Sequence, residues 1–457
     1  MEEIKYRRED EMKDSGIEWL GKIPKEWGVT KLKYELKNFE SGKREPFYEE
    51  EVLSIGGEHI LNGKFNLQNP RYVSYKFYRD SNQGKIKEND ILLVKDGATI
   101  GKAMYVNKLD FDAMVNEHVY RLEYSKYGYY VILSNSTQKQ FWMKNNSTAQ
   151  ESINSNTLKN IDIVKNSKEE QQKIANFLDY KTSQFDSIIS KKEKLIEKLE
   201  EAKKSLISEV ITGKIKIVDG EMVERKPEEM KDSGVEWLGM IPKDWEVKRL
   251  KYLASKISKG TTPSTIGKEI LEEGPVRFLK AENIVDNKVS LTPECFIDNS
   301  TNKILSRSAL KAQDILFVIA GATIGKLAIL NEELCPANTN QAVSFIRLKN
   351  IENSKFVFYW LQSSNLRRHM WSLTVQAAQP NLSLEDLGNF YLPYPNISER
   401  TDIVNFLEIK TKGLDNIINK TKTQIQKLKE AKESLISEAV TGKIDLRDWE
   451  IREVDES

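Results

Sequence analysis

The chain contains two copies of the same order of sequence segments, and this repetition constrains its architecture more than any other feature. MKDSGIEWLGKIPKEW at residues 12–27 returns as MKDSGVEWLGMIPKDW at residues 230–245. KDGATIGK, which ends at Lys102, returns as IAGATIGK, which ends at Lys326. A period of this length is far greater than that of a solenoid repeat. We therefore expect two large, related halves.

A third match shows that the halves contain two kinds of segment. EAKKSLISEVITGKI, from Glu201, returns as EAKESLISEAVTGKI, from Glu430. The offset between copies is 218 residues at the first match, 224 at the second and 229 at the third. It is also 229 between Asn176 and Asn405. The order is thus A–B–A′–B′, in which the A segments have changed in length and the B segments have kept their register.

The B segments are predicted to be long helices that pair with each other. Residues 168–213 contain no proline, and their one glycine, Gly213, is placed to end the helix. Apolar residues recur at steps of three, four and seven, which is typical of a heptad seam. The predicted seam consists of Phe185, Ile188, Leu195, Leu199, Ala202 and Leu206 in B, and of Leu414, Ile417, Leu428, Ala431 and Leu435 in B′. An antiparallel coil of B with B′ is favoured, and the alternative is that each helix packs only on its own A domain.

The A segments are predicted to be globular domains of mixed structure. Short alternating strands such as NDILLVKDG and QDILFVIAG precede helical stretches in both copies. The predicted fold class is α+β, with two globular domains separated by two long antiparallel helices and related by a pseudo-two-fold repeat. The predicted boundaries are 1–166 for the first domain, 167–213 for the central helical spacer, 214–396 for the second domain and 397–457 for the second helical spacer and tail.

Composition limits the cellular setting more than the function. The 457 residues carry a net charge of +1 and contain two cysteines, which form no CxxC pair. No apolar run is long enough for a membrane span, and the charged N-terminus lacks the apolar core of a signal peptide. We therefore expect a cytoplasmic protein with no membrane association and no structural zinc.

Several polar stretches are candidate DNA contacts. RYVSYKFYRD, from Arg71, interleaves basic and aromatic residues, although a half-buried strand would look the same. SGKREP, from Ser41, and KGTTPS, from Lys259, are basic polar loops at matching places in the two halves. GATIGK lacks the spacing of a phosphate-binding loop, so we expect its glycines to form a tight turn between strands. The candidate DNA-binding residues are Lys43, Arg44, Arg71, Tyr75, Lys76, Arg79, Lys102, Lys259, Thr261, Thr262, Lys280, Lys326, Arg367 and Arg368. For Lys102, Lys326, Arg367 and Arg368, a solvated surface role is the alternative.

The motifs of catalysis are missing from the sequence. It contains no GxGxxG, no P-loop, no HExxH and no Asn/Asp-Pro-Pro-Tyr/Phe string of an adenine methyltransferase. The three histidines are scattered along the chain. We therefore predict no catalytic residue, no metal ligand and no cofactor bound by this chain.

The combined pattern resembles the specificity subunits of type I restriction–modification systems. The resemblance is carried by KDSGIEWLGKIPKEW, NDILLVKDGATIGK, QAAQPNLSLEDLGNFYLPYP, EEQQKIANFLD and SLISEVITGKI, and it covers nearly the whole chain. TAQESINSN at residues 148–156 departs from the pattern, because it lacks the QPN string at residues 379–381.

The resemblance implies a non-catalytic subunit in which each A domain reads one half of a bipartite site on double-stranded DNA. It implies that the helices set the gap between the half-sites and dock two modification subunits, which use S-adenosylmethionine. Two restriction subunits, which use ATP and Mg²⁺, complete the implied complex.

Two other functions remain as alternatives. A self-contained methyltransferase–nuclease would need the missing motifs, and the purified chain would bind labelled S-adenosylmethionine. A coiled-coil adaptor would bind only protein, and a DNA mobility shift would exclude it.

Overall fold

The computed structural model describes residues 4–44, 51–61, 63–145, 152–374 and 381–450. Contacts divide the chain into two units. Unit 1 combines Met1–Glu193 with Lys422–Ser457, and unit 2 consists of Lys194–Thr421. Within the described residues, no helix is both long and apolar enough to cross a membrane.

Unit 1 contains thirteen strands among its described residues. They are β1 Met12–Asp14, β2 Lys22–Pro24, β3 Gly28–Lys31, β4 Asn38–Ser41, β5 Val52–Ile55, β6 Ile60–Leu61, β7 Lys64–Phe65, β8 Tyr72–Val73, β9 Ile91–Val94, β10 Ala103–Tyr105, β11 Ala113–Val115, β12 Val119–Glu123 and β13 Asp162–Lys165. Its helices are α1 Tyr75–Asp80, α2 Lys126–Leu133, α3 Asn135–Asn145, α4 Ser155–Lys159 and the first part of α5 Lys168–Ile211.

Two sheets form the centre of unit 1. One is antiparallel, in the order β10-β9-β12-β4, and the other has the order β11-β5-β8. Strand β9 is a continuous apolar run and is buried along its whole length. This is the pattern expected of a central strand that is covered on both faces. Strands β5 and β11 are parallel, with Ile55 opposite Val115, so their carboxyl ends meet at one edge.

Unit 2 repeats this arrangement. Its strands are β14 Ile215–Val218, β15 Glu221–Glu224, β16 Met230–Asp232, β17 Met240–Pro242, β18 Glu246–Arg249, β19 Ala254–Lys259, β20 Val276–Leu279, β21 Ile284–Val285, β22 Lys288–Val289, β23 Phe296–Ile297, β24 Ile315–Val318, β25 Leu327–Ile329, β26 Ala337–Thr339, β27 Val343–Leu348 and β28 Tyr391–Tyr394. Its helices are α6 Leu250–Leu253, α7 Asn299–Ile304, α8 Ser354–Trp360, α9 Ser364–Thr374, α10 Leu384–Asn389 and the first part of α11 Ile397–Val440. The sheets β19-β27-β24-β25 and β23-β20-β26 match those of unit 1, including the parallel pair β20 and β26.

The long helices pair in antiparallel fashion within each unit. In unit 1, Lys432 Nζ donates to Asp186 at 2.6 Å, and Lys192 Nζ donates to Gln424 at 2.7 Å. Numbering rises along α5 as it falls along α11, which defines the direction of the pairing. In unit 2, Lys203 Nζ donates to Asp415 at 2.6 Å. The predicted fold class is confirmed.

In each unit, the glycine after one long helix lies beside a tryptophan of the repeated sequence segment, Trp27 in unit 1 and Trp245 in unit 2. The helix end predicted at Gly213 is confirmed, since this glycine has a left-handed φ of 77°, and Gly442 follows α11 in the same way with a φ of 73°. A Cβ at Gly442 would lie 2.6 Å from the ring of Trp27. Trp27 Nε1 donates to Glu170 at 2.8 Å, so the tryptophan joins the beginning of one long helix to the end of the other. Trp245 makes the equivalent bond in unit 2.

The predicted seam is wrong at one of its two heptad positions. The side chains of Ile188 and Leu195 are 42% and 44% exposed, whereas Ile189 is only 8% exposed. Ala202, Ile417 and Ala431 are also exposed. The residues that face the partner helix are Phe185, Ile189, Lys192, Ile196, Leu199, Lys203 and Leu206 in α5, and Leu414, Ile418, Thr421, Ile425, Leu428, Lys432 and Leu435 in α11.

The error has a physical cause. Ile188 precedes Ile189 and Leu195 precedes Ile196, so periodicity alone cannot choose between apolar neighbours. Ala202 is apolar and Lys203 is charged, so an apolar pattern selects Ala202. Lys203 instead buries its aliphatic stem in the seam and places its ammonium group on Asp415.

A pair of isoleucine substitutions tests the corrected seam. We expect Ile189→Ala to lower the free energy of unfolding by about 2 kcal/mol, because it removes buried methylene groups and leaves a cavity. Ile188→Ala should change it by less than about 0.5 kcal/mol, as is usual at exposed positions. Urea denaturation of both variants measures the difference, and equal losses would contradict the corrected register.

Candidate nucleic-acid interface

Four segments of unit 1 meet where the parallel strands β5 and β11 end. Asn116 N donates to Ile55 O at 3.0 Å, and Gly42 N donates to Asn116 O at 3.2 Å. Lys95 N donates to His118 O at 3.0 Å. We call residues 42–44, 56–58, 95–102 and 116–118 the carboxyl edge of unit 1.

Glycine is required where the first loop meets this edge. A Cβ at Gly42 would lie 1.6 Å from the carbonyl oxygen of Val115, and a Cβ at Gly260 would lie 1.7 Å from that of Thr339. Both obstacles are backbone atoms, which cannot rotate away. Any side chain here must therefore push the loop off the edge.

Unit 2 has a carboxyl edge of the same construction, formed by residues 260–262, 280–282, 319–326 and 340–342. Thr261 N donates to Thr339 O at 3.1 Å. Ile319 N donates to Ala342 O at 2.9 Å, as Lys95 does to His118 in unit 1.

The GATIGK strings form the tight turns that were expected. Gly101 N donates to Val94 O and Gly325 N to Val318 O, each at 2.9 Å, which closes the hairpins β9–β10 and β24–β25. The side chains of Lys102 and Lys326 are exposed at the ends of these turns. Their predicted contacts with DNA phosphates stay predictions.

The structure brings most of the candidate DNA-binding residues to the two edges. In unit 1 the edge carries Lys43, Arg44 and Lys102, and Arg71 joins it through its 3.1 Å ion pair with Glu58. In unit 2 the edge carries Thr261, Thr262, Lys280 and Lys326, and Lys259 directly precedes its first loop as the last residue of β19.

Tyr75, Lys76 and Arg79 lie elsewhere, on α1 at the opposite end of strand β5. RYVSYKFYRD forms a two-residue strand and then this short helix, rather than the half-buried strand considered as an alternative. Ser74 Oγ caps the helix by accepting a hydrogen bond from Phe77 N at 3.1 Å. Tyr75 OH donates to Asp112 at 2.6 Å, which raises the pKa of the tyrosine.

Arg367 and Arg368 lie on α9, which packs behind the GATIGK turn of unit 2, since a Cβ at Gly325 would meet Met370. Arg368 is exposed and Arg367 is half-buried. Burial lowers the pKa of the Arg367 guanidinium.

An ion pair with a buried carboxylate ties the central strands together in each unit, and sequence reasoning missed it. Arg121 in β12 donates to Asp90 and, at 2.8 Å, to Glu40 in β4. Burial raises the pKa of Asp90, and the hydrogen bond from Arg121 opposes this effect. In unit 2, Arg347 donates to Asp314 at 2.6 Å. Removing one partner would leave the other charge buried, so these pairs fix the central strands in place.

Part of the junction noted in the sequence lies outside the described residues, namely residues 148–151 and the first two residues of the QPN string. At its border, Asp96 forms a β-bridge with Ser152, and Ala320 forms the equivalent bridge with Asn381. The GATIGK turn therefore lies beside the domain-to-helix junction in both units.

Comparison with known protein families identifies the family to which the two repeated segments belong. The family described as "Type I restriction modification DNA specificity domain" matches residues 24–201 and again residues 242–427. The chain belongs to this family. The specificity subunit is the DNA-recognition component of a type I restriction–modification system and is not itself catalytic. The resemblance and the function predicted from the sequence are thereby confirmed.

Individual relatives agree with this assignment along nearly the whole chain. The MjaVIII specificity subunit of Methanocaldococcus jannaschii is 26% identical over 436 residues, which cover 93% of this chain and 94% of that protein. The MjaIX specificity subunit of the same organism is 25% identical over 465 residues, covering 96% and 98%. A solved chain from a study of assembly and conformational transition in a type I R-M system has a TM-score of 0.66 at 14% identity, covering 92% of this subunit and 99% of that chain. The structural match supports the fold of the specificity subunit.

Proposed function

We propose that the two A domains, residues 1–166 and 214–396, each read one half of a bipartite site on double-stranded DNA with their carboxyl edges. The observation that carries the proposal is the construction of the same edge twice, once in each family-matched segment. Each edge presents cationic side chains and polar loops, which suit contact with phosphates and base edges. The helical segments 167–213 and 397–457 set the distance between the half-sites.

The same helices would dock two modification subunits that use S-adenosylmethionine. Two restriction subunits, which use ATP and Mg²⁺, complete the proposed cytoplasmic complex. The support for two copies of one partner is the repeated exposed isoleucine, Ile188 in α5 and Ile417 in α11, which stand 229 residues apart in helices of identical register.

A domain exchange tests the reading of half-sites. Replacing residues 36–165 by the same span of another specificity subunit should change one half of the methylated motif and leave the other half unchanged. Methylation-aware sequencing of cells that carry the chimaera measures both halves. If both halves changed, a model with one reader per unit would be untenable.

Loss of a phosphate contact should appear in the salt dependence of binding. We expect Lys43→Ala and Lys259→Ala each to weaken DNA binding and to reduce the slope of log affinity against log salt by about one unit. Lys25→Ala serves as a control that should keep the slope, because Lys25 is exposed between strands β2 and β3 and lies outside the edge. An unchanged slope in both edge variants would remove these loops from the DNA interface.

Charged substitutions test the docking of two modification subunits. Ile188→Asp and Ile417→Asp should each remove one modification subunit, because a carboxylate replaces an apolar contact that would be buried in the complex. Native mass spectrometry of the assembled complex measures the stoichiometry. Ser187→Asp and Asn416→Asp add the same charge at exposed neighbours without removing an apolar group and should keep two copies. Retention of two copies by both isoleucine variants would exclude this face.

A further inference from the structure

The two carboxyl edges share one backbone frame. Asn116 Oδ1 accepts a hydrogen bond from His118 N at 2.9 Å, and Asn340 Oδ1 accepts one from Ala342 N at 3.2 Å. The glycine that seats the first loop and the whole GATIGK turn are also identical in the two units. Side chains at equivalent positions of the two edges therefore start from equivalent places.

At four positions within this shared frame, the residue of unit 1 differs from its equivalent in unit 2. In unit 1 they form a chain of charged and polar groups, Arg44, Glu117, His118 and Asp96. Arg44 Nε lies 3.8 Å from Glu117 Oε1, and His118 Nε2 lies 3.5 Å from the same oxygen. His118 Nδ1 lies 2.6 Å from Asp96 Oδ1. The side chain of Arg44 is 89% exposed, so its guanidinium is accessible from solvent while it stays beside Glu117.

In unit 2 the same four positions carry no charge. They are Thr262, Gln341, Ala342 and Ala320. Thr262 Oγ1 donates to Gln341 Oε1, so this pair occupies the place of Arg44 and Glu117. The two alanines replace His118 and Asp96.

We propose that these four positions are the patch that makes the two half-sites different, with Arg44 of unit 1 and Gln341 of unit 2 reading bases. This inference rests on the proposed function and deepens it. Arginine donates two hydrogen bonds to the O6 and N7 acceptors of guanine in the major groove, whereas a glutamine amide matches N6 and N7 of adenine. Glu117, His118 and Asp96 position the arginine. Unit 1 therefore reads a guanine through Arg44, and unit 2 reads an adenine through Gln341.

A reciprocal exchange of the patch tests this assignment in the assembled complex. The first variant combines Arg44→Thr, Asp96→Ala, Glu117→Gln and His118→Ala. The second combines Thr262→Arg, Ala320→Asp, Gln341→Glu and Ala342→His. Selection from a library with randomised half-sites measures the base preference at every position. The first variant should lose guanine preference by roughly 5- to 150-fold at one position of half-site 1 and keep half-site 2; the second should gain guanine preference in half-site 2 alone.

A conservative variant protects the test against misfolding. Arg44→Lys keeps the charge but loses the rigid planar fork of the guanidinium, so it should reduce the guanine preference while retaining affinity. The proposal is overturned if this variant and both exchanges bind and select the original half-sites, or if both half-sites shift together. A wild-type complex that selects no bipartite motif would instead contradict the proposed function, which keeps the two failures distinct.

Discussion

Gly42→Ala should abolish recognition of one half-site while leaving the other intact. The added Cβ would lie 1.6 Å from the carbonyl oxygen of Val115 and 2.5 Å from its carbon. Relief requires a movement of the loop that carries Lys43 and Arg44. We expect a loss of about 1–3 kcal/mol in the free energy of unfolding from overpacking. The loss in affinity for half-site 1 should be larger than the loss of stability explains, because the loop no longer meets the edge.

Gly260→Ala provides the mirror experiment, since its Cβ would lie 1.7 Å from the carbonyl oxygen of Thr339. It should affect half-site 2 alone. Gly413→Ala is the matched control, because it lies in α11 with no atom near its Cβ and should stabilise the helix by about 0.5–1 kcal/mol. Competition binding with duplexes altered in one half-site measures all three variants. Equal effects of Gly42→Ala on both half-sites would contradict the assignment of one edge to one half-site.

The large-scale architecture could be predicted from the sequence because it depends on repetition and periodicity. The constant offset of 229 residues predicted two helices in the same register, and both span 44 residues in the structure. The glycines of the GATIGK turn and the helix caps were predictable for a local reason, since a positive φ favours glycine wherever it occurs. A glycine turn or helix cap depends only on residues that are neighbours in the sequence.

The carboxyl edge could not be predicted because it depends on distant pairing. Ile55 lies opposite Val115 in a parallel pair, and no local pattern relates strands sixty residues apart. The partners Glu117 and Gln341 were therefore missed, although Arg44 and Thr262 beside them were named. The exact seam position could not be predicted for a different reason, because the adjacent isoleucines at 188 and 189 give the same periodicity. The domain boundaries and the DNA contacts themselves stay predictions.

The helices should act as a ruler between the two half-sites. Both helices can be lengthened at equivalent places, by repeating LIEK after Lys198 and QIQK after Lys427. Four residues add about 6 Å of helix, and base pairs rise about 3.4 Å each. An insertion of four residues locally unwinds a coiled coil, so a moderate loss of stability is expected. The preferred spacer should grow by roughly one to two base pairs, and the sequences of the two half-sites should not change.

The control places four residues between Asp219 and Gly220, in the exposed turn of hairpin β14–β15, where insertions are tolerated. It lengthens the chain without lengthening either helix and should keep the original spacer. The deciding measurement is the methylated motif recovered from cells that express each variant with its partner subunits. We expect a longer unread spacer between unchanged half-sites for the helix variant alone. An active helix variant that methylates the original motif would show that the helices do not set the distance between the two reading domains.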